Sequence, residues 1–128
     1  MKKVTLFVSL FLFASAMSVI NAQSIGNRSW KTYISQPIND TVTLHLYSGS
    51  SHLMNSQGEI KVRSHCKING DTMTILDYGT EQMGCPDMKG VYKINLSGNS
   101  FTLTLIEDPC EGRAGALINR KWTEASKL

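Results

Sequence analysis

The chain predicts an all-β domain, a small antiparallel up-and-down barrel, and two observations carry that prediction. Apolar residues alternate with polar ones at period two through run after run, and glycine-centred turn sequences separate the runs at short intervals. Strands joined by short connections form a meander of hairpins, which must close or stack to bury its apolar face.

In the segment 41–47, Val42, Leu44 and Leu46 share one face. In 59–68, Ile60, Val62, Cys66 and Ile68 face one way while Lys61, Arg63, His65 and Lys67 face the other, as in a half-buried strand. Met73 with Ile75, then Tyr92, Ile94 and Leu96, then Phe101, Leu103 and Leu105 repeat the theme. Asn69-Gly70 lies between two such runs and is a strong hairpin signal, because both central residues of a type I′ turn need positive φ. Ser48-Gly49-Ser50 and Ser97-Gly98-Asn99 are turn-like, and Gln57-Gly58 is a weaker case. One segment reads as helical. Asp108-Pro109-Cys110-Glu111 offers Asp108 as N-cap, a proline at the first helical position and a glutamate three residues after the cap. Gly112 and Gly115 limit it to a short stretch from about Pro109 to Leu117, before a last strand around Arg120 to Thr123.

The first 22 residues read as a cleavable signal peptide. Lys2 and Lys3 precede a largely apolar run from Val4 to Ile20, which is short for a membrane anchor and lacks a basic stop-transfer flank. The run ends Ile20-Asn21-Ala22, which suits cleavage before Gln23. The expectation is a periplasmic or secreted protein with no membrane span after processing, its residues 23–128 forming one domain. Removing Lys2 and Lys3 from the 13 basic residues leaves 11 against 10 acidic ones, about +1 in all. A near-neutral domain has no electrostatic footprint for nucleic acid.

An oxidising compartment permits disulfides, and three cysteines are available. The meander decides between them. Asn69-Gly70 lies at one end, so the loop from Asp77 to Gly90 lies at the other, and the chain crosses twice more before Cys110 arrives beside Cys85. Cys66 sits near the Asn69-Gly70 end, on the order of 15–20 Å away at ~3.3 Å per residue, whereas a disulfide needs Cα atoms within about 7 Å. Cys85–Cys110 is expected to pair, leaving Cys66 a buried free thiol.

The order of these features resembles the small exported lipocalin-like (calycin-type) proteins of Gram-negative bacteria. Trp30 opens the first strand, Cys85 precedes Gly90-Val91-Tyr92, Asp108-Pro109-Cys110-Glu111-Gly112-Arg113 follows the strand of Phe101, and Trp122 closes the pattern. Gly26 precedes Trp30 by four residues, where lipocalins proper have Gly-x-Trp. The resemblance implies a compact antiparallel barrel and an arginine from the end of the last strand packed on Trp30, for which Arg120 is the best placed.

Candidate chemistry is sparse, and the expectation is a protein that is not an enzyme and uses no cofactor. His45 and His65 alternate onto polar strand faces, His52 lies in or beside a turn, and the three share no metal-ligand spacing. His65 points away from the sulfur of Cys66, which reads as a small core residue rather than a nucleophile. Asp108, Glu107 and Glu111 could be taken for an acid pair, but Asp108 has a capping task and Arg113 is spaced for a local ion pair. There is no phosphate loop, no Gly-x-Ser-x-Gly and no helix able to carry His-Glu-x-x-His.

The inner face is almost wholly apolar, with Leu44, Leu46, Val62, Ile75, Tyr92, Phe101 and Leu103 as candidate barrel lining. So short a chain favours a barrel largely filled by its own side chains, with at most a shallow pocket. Two functions stay open. One is binding of a small apolar ligand in the barrel mouth. The other is an envelope interaction or inhibitor-type module with a filled barrel, meeting a protein partner through the loop 77–90, where Tyr78, Met83 and Met88 are expected to be exposed.

Overall fold

In the computed structural model, which describes residues 24–79, 81 and 83–127, the chain forms eight antiparallel strands and one short helix. The segment read as a signal peptide lies outside the described residues. The strands are β1 (Arg28–Ile34), β2 (Asp40–Leu46), β3 (Ser50–Met54), β4 (Ile60–Asn69), β5 (Thr72–Tyr78), β6 (Lys89–Ser97), β7 (Ser100–Glu107) and β8 (Trp122–Lys127). Helix α1 (Glu111–Leu117) lies between β7 and β8. Each strand pairs with its successor and β8 pairs with β1, so the barrel is closed and up-and-down. The tight turns at Gly49, Gly70 and Gly98, each glycine at positive φ, all lie at one end. The longer connections, including the segment between β5 and β6 and helix α1, gather at the other end, called the mouth here.

The interior is divided. On the β7–β8–β1 side, Trp30 meets Phe101 edge-on at 4.8 Å between ring centroids, and Phe101 stacks on Trp122 at 6.1 Å. All three rings are buried, and burying aromatics of this size supplies much of the apolar surface removed from water. Both indole N–H groups are satisfied, Trp30 donating to the Ile25 carbonyl at 2.9 Å and Trp122 to that of Leu117 at 3.1 Å. The β2–β5 side contributes smaller residues and is less completely filled.

Local expectations differ from the fold at several points. Leu105, read as inward, is 41% exposed beside Ile106 at 58%. Strand β7 pairs with β8 only at Ser100 and Phe101 because the chain departs into α1, so its second half has no β8 neighbour to enclose Leu105. The last strand starts later and runs further than expected, since residues 118–120 turn with Asn119 at φ 57° before pairing begins at Trp122. His52, expected in or beside a turn, lies within β3 two residues after the Ser48-Gly49-Ser50 turn. The arginine over Trp30 is Arg28, 4.7 Å from the ring centroid, held there by an ion pair with Glu124 of β8. Arg120 precedes β8 at the mouth, where it donates to the carbonyls of Tyr33, Gly115 and Ile118.

Candidate functional site: the barrel mouth

The Asp-Pro-Cys-x-x-Arg segment anchors the mouth. Asp108 does not cap the helix; the N-cap is Cys110, whose sulfur accepts from the Arg113 backbone N–H at 3.4 Å. Asp108 instead lies two residues before that cap, accepting from the Cys110 N–H at 2.9 Å, from Arg113 Nε at 2.8 Å and Nη2 at 2.7 Å, and from the Tyr92 hydroxyl. That bidentate pairing is the strong form of a carboxylate–guanidinium contact. Arg113 continues inward, with Nη2 donating to the Met88 carbonyl at 2.7 Å and Nη1 lying 3.1 Å from Asp77 Oδ2. Asp77 also accepts from Ser64 Oγ at 2.6 Å and from the Cys85 N–H at 2.8 Å. One buried guanidinium thus ties β5, the loop that follows it and the segment after β7 to the helix.

Charge states follow from these contacts. Burial by itself would raise the Asp108 carboxyl, but hydrogen bonds from Arg113, Tyr92 and the Cys110 N–H outweigh it, so Asp108 lies below the usual carboxylate range. Burial and the neighbouring Asp108 both push the Tyr92 phenol upward, which keeps it a neutral donor. The expected Cys85–Cys110 disulfide is present, with Cα atoms 6.2 Å apart, and it joins the loop to the helix N-terminus. Cys66 is a buried free thiol at the far end, pushed up to about 11 chiefly by burial.

Gly90 explains why a glycine stands before Val91-Tyr92. A Cβ built there would lie 2.5 Å from Asp108 Oδ2, 2.9 Å from its Cγ and 3.0 Å from the Tyr92 ring. Gly90→Ala is expected to destabilise the domain by about 1–3 kcal/mol, the usual range for overpacking. Urea denaturation against wild type measures it; an unchanged midpoint would show that the carboxylate can yield.

Beneath α1 lies a cavity of about 270 Å³, partly open at the mouth. Leu44, Leu53, Val62 and Ile75 form its apolar wall, and Ala116 and Leu117 of α1 form the roof. Pro37, Ile38 and Met83 flank it from the β1–β2 and β5–β6 connections. A polar row crosses the wall: Ser51 pairs across the sheet with Ser64 and Ser64 with Asp77, all three buried, and Arg113 reaches the same wall from the helix. Of the seven residues read as lining, Leu44, Val62 and Ile75 border this cavity. Leu46, Phe101 and Leu103 belong to the packed core, and Tyr92 is fully buried under Asp108.

No family model, curated protein or solved structure matches this chain.

Sequence patterning missed the polar row because it searches for apolar residues. The signal was present: Ser64 is in phase with Val62 and Cys66, and Asp77 with Ile75. The histidines resolve differently. Strand pairing places His45 opposite His52 on the outer wall, and the His45 ring accepts or donates a hydrogen bond of 2.7 Å with Ser29 Oγ. Both imidazoles lie below their ordinary value, first through partial burial and then through neighbouring charge: His52 acting on His45, and Arg63 on His52. His65 is exposed and stacks on Tyr78. No cluster of three or more metal-ligand side chains forms among the described residues.

Proposed function

We propose that this protein is an exported, lipocalin-like binding protein that holds a small, largely apolar ligand in the barrel mouth. The observation that supports the reading most is the cavity of about 270 Å³ between β2–β5 and α1, walled by aliphatic side chains and crossed by a few buried polar groups. Ligand sites characteristically combine an apolar lining with a small number of placed polar groups. A cavity of roughly 150 Å³ accepts benzene, so this volume suits a ligand of about ten to twelve non-hydrogen atoms. The Cys85–Cys110 disulfide agrees with an oxidising compartment, and the closed barrel with short helix agrees with a lipocalin-like architecture.

An uncharged naphthylamine dye tests the reading. Its fluorescence is expected to rise on titration with the protein, and Ala116→Phe, which places a ring under the roof of the cavity, is expected to weaken binding at least tenfold. A dye that stays dark with the folded wild-type protein rejects ligand binding at this site.

A second reading has its own observation. Tyr78, Met83 and Met88 are exposed on or beside the disulfide-anchored loop, a cluster suited to a protein partner of the envelope. Deleting most of that loop should then abolish any specific co-purifying partner; an unchanged set of partners removes this alternative.

A further inference from the structure

We infer that the ligand of the mouth cavity is uncharged or cationic at its polar end, and that the site selects against carboxylates. The inference rests on the ligand-binding reading above and adds the chemical class. Asp77 and Asp108 are two carboxylates whose side chains are 2% and 0% exposed, and the single guanidinium of Arg113 joins them. The cluster therefore carries a net charge of −1, with Asp77 and Arg113 bordering the cavity and Asp108, which does not border it, held by Arg113 and Tyr92. Near the same end Arg63 pairs with Glu81, and the cation of Arg120 is held by the carbonyls of Tyr33, Gly115 and Ile118 outside the cavity lining.

A guanidinium beside an apolar cavity would ordinarily suggest a fatty-acid-like anion. Here the donors are already committed: Nε and Nη2 bond Asp108, and Nη2 also bonds the Met88 carbonyl. Only Nη1 lacks an aligned hydrogen bond, although Asp77 Oδ2 lies 3.1 Å away. The two N–H groups of Nη1 lack a well-directed acceptor, and a hydroxyl or carbonyl oxygen on the ligand supplies one without adding charge. An incoming carboxylate would also meet Asp77, and unscreened repulsion between like charges in a low-dielectric wall opposes it. Ser51 and Ser64, in the same row, add no positive charge, and the Ser64 hydroxyl is already donated to Asp77.

Three probes with one chain length separate the possibilities: 1-decanol, decylamine and decanoate, each competing with the naphthylamine dye at pH 7.5. Decanol is expected to displace it most readily, and decylamine to displace it at least tenfold more readily than decanoate. Asp77→Asn, which brings the cluster to neutrality, should shrink the gap between amine and carboxylate. Decanoate competing as well as decylamine on wild type overturns the charge selection, as does a gap that Asp77→Asn leaves unchanged in a folded variant. If Asp77→Asn fails to fold, the wild-type ranking alone decides. If the dye itself never binds, the cavity reading fails, and the charge selection goes with it.

Discussion

Arg113→Ala is expected to cost about 3–5 kcal/mol of folding stability, the range seen when one partner of a buried ion pair is removed. The substitution strips both Asp77 and Asp108 of their cation and leaves the Met88 carbonyl without its donor. A domain of this size has only about 5–15 kcal/mol in all, so the variant should melt far below wild type. The pH dependence supplies a check with a definite sign. In wild type, the folded-state value of Asp108 lies below its ordinary 3.8, so its contribution is complete above that pH and lost as pH falls through the lowered value. In Arg113→Ala the Asp108 carboxylate loses its counter-charge while its burial remains, which raises its pKa. The variant should therefore gain stability relative to wild type as pH is lowered from 7 towards 5, the loss from His45 and His52 being common to both. Urea midpoints across that range measure both; parallel profiles would refute the assigned role of the arginine.

Reducing the Cys85–Cys110 bond, or replacing both cysteines with serine, is expected to destabilise the domain by about 3.5 kcal/mol, from the chain entropy of a closed loop of this length. The two residues are 25 apart in sequence, and the loop they close contains β6 and β7, so the reduced chain regains considerable freedom when unfolded. The local consequence is at the mouth. The bond connects the segment that carries Met83 to the N-terminus of the helix that roofs the cavity. Thermal melts with and without reductant give the stability change, and dye binding on still-folded reduced protein gives the local one. Weaker binding at unchanged secondary structure is the expected result; full-strength binding would show that the barrel walls alone hold the ligand.

The barrel was largely legible because strand alternation is a local property. Val42, Leu44 and Leu46 declare a buried face within seven residues, and Asn69-Gly70 declares its turn within two. The disulfide was legible for a related reason: in a meander, counting crossings tells which loops share an end, and that separates Cys66 from Cys85 and Cys110. Strand β3 gave no comparable signal, since its inward positions are Ser51 and Leu53 and a serine hides the period. Leu105 misled in the opposite way, because its alternation is correct but no β8 residue lies alongside to enclose it.

By itself, then, the amino-acid order determined the strand periodicity, the turns, the cysteine pairing and the Asp108–Arg113 contact, all of which depend on near neighbours or on parity of crossing. Only the folded barrel decided which apolar side chains fill space and which surround it. Trp30, Phe101 and Trp122 come from three distant segments and meet on one side, so the volume they occupy leaves the cavity on the other. The same closure brings Asp77 of β5 to Arg113 of α1, a pairing across 36 positions that no local pattern specifies. Cavity, charge and polar row are sums over elements that become neighbours only when the sheet closes, and for that reason the candidate site became visible last.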